Sequence, residues 1–208
     1  EGGRFRVRVA DARKGEVLEV YSTEDRFLSP WIQLAANGRR LVFLENKAPV
    51  VVDLETRRAT FIEIPAADDS RDPALTPDGS RAVFSRASGL FASSQLYRVQ
   101  SDGTGLAQIT SLPSGNAASP SVSGDGQTVV FSSASDPLGE NGDGSEEIFS
   151  IRADGTGLDQ LTSGAANTAC HNPSLAAHAP ILAFDCDADL TGGNADLSRE
   201  IFRVNLDG

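Results

Sequence analysis

Apolar residues in this chain do not recur at helical spacing. They fall in short runs rich in β-branched residues, and four of these runs end in phenylalanine: Leu41-Val42-Phe43, Ala82-Val83-Phe84, Val129-Val130-Phe131 and Ile181-Leu182-Ala183-Phe184. Runs of this kind suit buried strands. Each is preceded by a short strand-like segment and a polar turn. The turn is Asn37-Gly38, Asp78-Gly79 or Asp125-Gly126 in three copies, and dipeptides of that type favour tight hairpins. A third strand is predicted at residues 50–54, 95–99, 147–152 and 200–206. In two copies it leads into a second turn, Asp102-Gly103-Thr104-Gly105 or Asp154-Gly155-Thr156-Gly157. A fourth strand is predicted at 60–64, 106–110 and 158–162.

The copies align on themselves. Asp72-Pro73 to Ser85, Ser119-Pro120 to Ser132 and Asn172-Pro173 to Asp185 superpose without gaps, with Phe84, Phe131 and Phe184 spaced by 47 and 53 residues. A weaker copy, Leu34 to Phe43, lies 41 residues earlier; it carries Ile32-Gln33 in place of the Pro-Ser of later copies. Four short strands repeating every ~40–50 residues form the blades of a β-propeller. The expected fold is therefore all-β: one propeller domain over 1–208 of four-stranded antiparallel blades, about four to five in number. A partial blade is expected at 1–26, with blades at about 27–66, 67–114, 115–165 and 166–208. The four phenylalanines should then occupy equivalent buried positions.

Two motifs carry a family resemblance: Pro-Ser-x-Ser-x-Asp-Gly-x-x-x-Val-Phe-Ser, then Glu-Ile-Phe-x-Ile-x-x-Asp-Gly-Thr-Gly-Leu-x-x-Leu-Thr. This pattern resembles the WD-like repeat of TolB and its relatives, over roughly residues 27–208 and best over Ser119–Ser163. The resemblance implies protein–protein work in an envelope complex. It also implies rings of six or more blades, so this chain is expected to be part of a larger ring. The competing expectation is a small closed ring, in which residues 16–21 supply the missing outer strand of the last blade.

Net charge is −11, from 18 Lys and Arg against 29 Asp and Glu. That balance argues against nucleic acid, which needs a basic face, and suits a basic protein partner or a cation. No run of 18 apolar residues is present, so no membrane span is expected. The chain starts at Glu1-Gly2-Gly3 and contains no Met, which reads as a processed or truncated polypeptide.

Cys170 and Cys186 are the only cysteines, each eight residues from His178 at the centre of the predicted turn. They should therefore face each other across the hairpin, at the Cβ separation of about 4.5–5.5 Å that a disulfide tolerates. A bridge implies an oxidising compartment, periplasmic, secreted or on the cell surface. Two free buried thiols are the alternative. A metal site using His171 lacks the usual ligand spacing.

Two long acidic loops align without a gap: Asp136, Asn141, Asp143, Ser145 and Glu147 fall 53 residues before Asp189, Asn194, Asp196, Ser198 and Glu200. Oxygen-bearing side chains at every second position make calcium a candidate ligand. The same residue types also build tight turns by bonding their own backbone. Both readings stand at this level.

No catalytic constellation is expected. His171 and His178 are the only imidazoles, His178 occupies a turn position held elsewhere by Asp78 and Asp125, and no Gly-x-Ser-x-Gly elbow occurs. The glycine-rich turns lack the following helix and Lys of a phosphate loop. Trp31 and Tyr97 are expected in the core, and Phe91 at an apolar loop tip. The expected role is a non-enzymatic binding or scaffold module with a protein partner. The alternatives are the propeller of a larger prolyl-oligopeptidase-like hydrolase, or a calcium-stabilised surface structural protein.

Overall fold

A computed structural model describes residues 5–11, 14, 16–24, 28–65, 68–89 and 92–206. All regular structure in it is strand. Two strands, β1 (Phe5–Asp11) and β2 (Glu16–Thr23), pair with each other. Then come three four-stranded antiparallel sheets in chain order. The first holds β3 (Leu28–Leu34), β4 (Arg40–Glu45), β5 (Ala48–Asp53) and β6 (Arg58–Phe61). The second holds β7 (Asp69–Leu75), β8 (Arg81–Ala87), β9 (Gln95–Gln100) and β10 (Ala107–Gln108). The third holds β11 (Ala118–Val122), β12 (Thr128–Ser133), β13 (Glu147–Arg152) and β14 (Asp159–Gln160). A three-stranded sheet, β15 (Cys170–Leu175), β16 (Ile181–Cys186) and β17 (Glu200–Asn205), ends the series. The three four-stranded sheets and the last, three-stranded one are the blades, numbered first to fourth in chain order.

Neighbouring blades bury each other's faces. Val83 and Leu96 of the second blade pack on Phe131, Phe149 and Ile151 of the third. Val130 and Ile148 of the third pack on Leu182 and Phe184 of the fourth. Phe43, Phe84, Phe131 and Phe184 are 1%, 0%, 0% and 2% exposed, and each sits opposite a third-strand residue: Val50, Tyr97, Phe149 and Phe202. The expected equivalence holds. Burial of each phenylalanine contributes about 1.5–3 kcal/mol. Ile201, at the position of Ile148, has no further sheet on its face among the described residues and is 77% exposed, against 0% for Ile148.

Three expectations are corrected. β2 pairs with β1, and both pack on the first blade through Val7 and Val20, so residues 16–21 do not complete the last blade. The fourth strands are shorter than expected, and β6 begins earlier. The reason is chemical: where the ladder would continue, side-chain hydroxyls replace it. Thr110 Oγ1 accepts the Leu96 N–H and Thr162 Oγ1 accepts the Ile148 N–H, each at 2.8 Å. Finally, Trp31 is 63% exposed instead of buried. Its counterparts in the later blades are Asp72, Ser119 and Asn172, so this is a position that faces away from the core. Tyr97 is half-buried against Phe84.

The inner strands share a further feature. Each carries a β-bulge, between Leu28 and Ile32, Arg71 and Ala74, Ala118 and Ser121, and His171 and Ser174. Inside the last three, Asp72, Ser119 and Asn172 have left-handed backbone with φ of 49°, 50° and 51°. A bulge bends the strand and re-aims the side chains it contains.

Candidate functional site

The bulges bring residues of four blades to one place. Trp31, Ile32, Gln33, Asp72, Ser119 and Asn172, with Pro73, Pro120 and Pro173, line an axial recess of about 250 Å³. The four equivalent residues Trp31, Asp72, Ser119 and Asn172 thus give it an aromatic ring, a carboxylate, a hydroxyl and an amide. Asp72 Oδ2 accepts the Ser119 N–H at 3.1 Å, which ties the second and third blades at the rim. Asn172 Nδ2 donates to Asp185 Oδ1 at 2.8 Å.

On the same end of the blades, a second cavity of about 360 Å³ shares Asp72 with the recess. Lys47, Asp69, Arg71, Ser85 and Asn116 line it. Strand direction puts all second-to-third strand connections at this end. They are short in the first blade and long in the third and fourth, so the end face is walled on one side.

The long loops are built alike. Asp136 Oδ1 accepts the Asn141 N–H and Asp189 Oδ1 the Asn194 N–H, both at 2.9 Å. Asn141 Nδ2 donates to the Ser135 and Ser145 carbonyls; Asn194 Nδ2 donates to those of Ala188 and Ser198. Both asparagines are buried. Asp143 Oδ1 accepts from the Ser145 backbone N–H, and Asp196 Oδ1 from that of Ser198. These bonds, the backbone one first, hold both carboxyls below the usual carboxylate range. One oxygen of each of these aspartates thus accepts a bond from its own turn. Among the described residues no three His, Cys, Asp or Glu side chains gather into a metal-holding group. At the Gly144 position the second loop carries Leu197, with φ of 53°.

Glu147 is the residue whose role the spacing did not reveal. It is 1% exposed, and its carboxylate accepts from the Ser145 hydroxyl, the Thr162 hydroxyl and the Gly164 N–H. Gln95 sits at the same position one blade earlier, and its Oε1 accepts from Thr110 Oγ1 and the Leu112 N–H. The residue is a latch between the third strand and the segment leaving the blade. The signal was available: Gln95 to Thr110 and Glu147 to Thr162 are both spaced by 15 residues.

The cysteines are placed as the hairpin predicts. Cys170 and Cys186 are register partners joined by a disulfide. In the second blade the equivalent register pair is Ser70 with Arg86, and Arg86 instead reaches the buried Asp68, two residues before Ser70. His171 Nδ1 lies 3.1 Å from Glu146 Oε1, and the Ser132 hydroxyl donates to that same oxygen at 2.8 Å. The serine thus turns toward the carboxylate, and no bond joins it to the imidazole. His178 is exposed on its turn. Gly124 is required at its position because a Cβ there would lie 1.9 Å from the Ala177 carbonyl oxygen of the next blade. Phe91 lies outside the described residues.

No protein-family profile and no curated protein matches the sequence. Solved structures do match. One is a putative TolB from Agrobacterium tumefaciens, 18% identical with a TM-score of 0.68, aligned over 98% of this chain and 66% of its own. The chain has a TolB-like β-propeller fold. The same blades recur in an oligogalacturonate lyase from Vibrio parahaemolyticus, 14% identical with a TM-score of 0.65, over 96% of this chain and 56% of the lyase. They recur again in a structure from a study of two prolyl endopeptidases, 12% identical with a TM-score of 0.64, over 99% of this chain and 33% of the peptidase. This chain thus spans between a third and two thirds of these proteins. At such identities the likeness defines the fold alone.

Proposed function

We propose that this chain is a non-catalytic binding and scaffold module that engages a protein partner outside the cytoplasm, through the end face carrying the axial recess. The observation that carries this reading is the construction of that face. Four blades each direct one bulged residue to a common recess, and hydrogen-bonded loops wall it. Rigid loops on a fixed scaffold suit recognition. The likeness to TolB supports a protein partner, and the disulfide supports an oxidising compartment.

The test is site-specific photo-crosslinking in envelope extracts of the source cells. A crosslinker at Leu138, an exposed loop position on this face, should give a discrete adduct that excess unlabelled protein abolishes. A crosslinker at Gln127, on a turn at the opposite end, should not. Adducts from Gln127 alone would refute the assignment, as would turnover of oligogalacturonate or prolyl peptides by this chain.

A further inference from the structure

The second cavity on the end face brings cations and an amide donor together inside a concave lining. It lies among three complete blades and touches neither β1–β2 nor β15–β17. Two cations meet there over one carboxylate oxygen: Lys47 Nζ is 3.7 Å and Arg71 Nη2 is 3.2 Å from Asp69 Oδ2. Both cationic side chains stay largely in solvent, 61% and 72% exposed. Guanidinium has five donors in a fixed fork, and this one has a single protein acceptor among the described residues. Asn116 gives its side-chain oxygen to the Ser94 N–H at 2.9 Å, leaving its amide donors without a protein acceptor among the described residues.

Lys47 holds its place at a cost. It is the second residue of a two-residue hairpin whose φ values, 47° at Asn46 and 69° at Lys47, define a turn that favours glycine at this position. Its carbonyl accepts the Ser70 N–H at 3.2 Å, which docks the hairpin tip on β7 beside Arg71. Any residue would make that backbone bond. Only a cation there adds a second positive group to the cavity rim.

We propose that this cavity is a carboxylate-binding site. Arg71 and Lys47 receive an acid group from a partner's peptide, and Asn116 donates to the same group. The acid is a Glu or Asp side chain or a C-terminal carboxylate. The lining holds two cations and two carboxylates, Asp69 between the cations and Asp72 turned to the Ser119 N–H, so recognition rests on the unused guanidinium, ammonium and amide donors rather than on net charge. The peptide source rests on the binding role proposed above; the carboxylate chemistry stands on these residues alone.

Amide chemical shifts of the whole chain, titrated with three acetylated tripeptides, test it. The probes are Ac-Ala-Ala-Ala with a free C-terminus, Ac-Ala-Glu-Ala-amide and Ac-Ala-Ala-Ala-amide. One or both acidic peptides should shift the amides of Lys47, Ser70, Arg71 and Asn116, and the pair identifies which carboxylate is preferred. The neutral peptide should not shift them. Arg71→Gln should weaken the response about tenfold, as loss of a charge-assisted contact does. Lys47→Gly, which removes the charge and suits the turn, should weaken it while preserving the fold. The proposal fails if the neutral peptide acts equally, if inorganic phosphate alone moves these amides, or if neither variant changes the response. Loss of this response with crosslinking at Leu138 intact would sink the carboxylate site and leave the binding face standing; the converse would sink only the binding face.

Discussion

Replacing Glu147 tests whether the repeat assigns roles correctly. In Glu147→Ala the Ser145 hydroxyl retains other acceptors, Asn141 Oδ1 and Asp143 Oδ1, both at 2.9 Å. The Thr162 hydroxyl and the Gly164 N–H lose theirs. Thr162 is buried and its orphaned hydroxyl costs about 2 kcal/mol; Gly164 is half-buried and its N–H costs about 1 kcal/mol. The sum, about 3 kcal/mol, lowers Tm by about 6–12 °C for a chain of this size. Glu147→Gln behaves differently, because Gln95 already performs this task with a neutral amide. It should cost about 1 kcal/mol, the difference between charge-assisted and neutral bonds. Urea and thermal unfolding measure the totals. Hydrogen exchange at the Gly164 and Ile148 amides localises the change. An alanine variant within experimental error of the parent, or a glutamine variant as damaged as the alanine one, would refute the latch.

The other expectations are shorter. Removing the disulfide by Cys170→Ser with Cys186→Ser opens a loop of about 15 residues and should cost about 3 kcal/mol in urea unfolding; an unchanged midpoint would contradict it. Acid should destabilise the chain. Asp78 and Asp125 are held below the usual range first by the Thr76 and Ser123 hydroxyls, then by the Ser80 and Gln127 N–H groups. Their contribution is complete above the unfolded value of about 3.9 and disappears as pH falls through the lower folded values. Urea midpoints should therefore drop below about pH 4, and Asp78→Asn with Asp125→Asn should flatten the profile. Leu197→Gly should stabilise the fourth-blade loop by about 0.5 kcal/mol, relief of left-handed strain less the entropy of glycine. Gly144→Leu should do the reverse, and a Tm change of the opposite sign in either variant would show that the two loops differ.

The blades were legible because their causes are local. A β-branched run ending in Phe131 can bury one face only against a neighbouring sheet, and the Asp125-Gly126 turn sets its register. Register in turn placed Cys170 opposite Cys186. The end face was not legible. Asp72, Ser119 and Asn172 look like ordinary residues before proline, a setting that disfavours the helical region; nothing in the pattern announces a left-handed backbone at each. The bulge is a property of four strands meeting at an axis. It explains why Trp31, read as core by its size, stands in the recess. The acidic loops show the opposite limit. Asn, Asp and Ser at alternate positions satisfy a cation or a turn equally well on paper. The structure shows the turn bonds, with the Asn141 and Asn194 amides pointing into backbone carbonyls; a calcium titration read by Tm addresses the cation.

Repetition itself supplies the strongest argument about function. Within one chain, residues that perform the same structural task stay interchangeable in kind: Gln95 with Glu147, Thr110 with Thr162. Such positions explain stability. Other positions ask for another reason. Lys47 keeps a left-handed backbone that glycine would relax, in a hairpin that the later blades replace with longer loops, and Trp31 puts a largely exposed ring where its counterparts are small and polar. Both stand on the end face, on either side of Asp72. Departures occur at the opposite end too, where His178 replaces the turn aspartates Asp78 and Asp125, so the assignment rests on the two cavities that share Asp72, and substituting each recess residue in turn tests it.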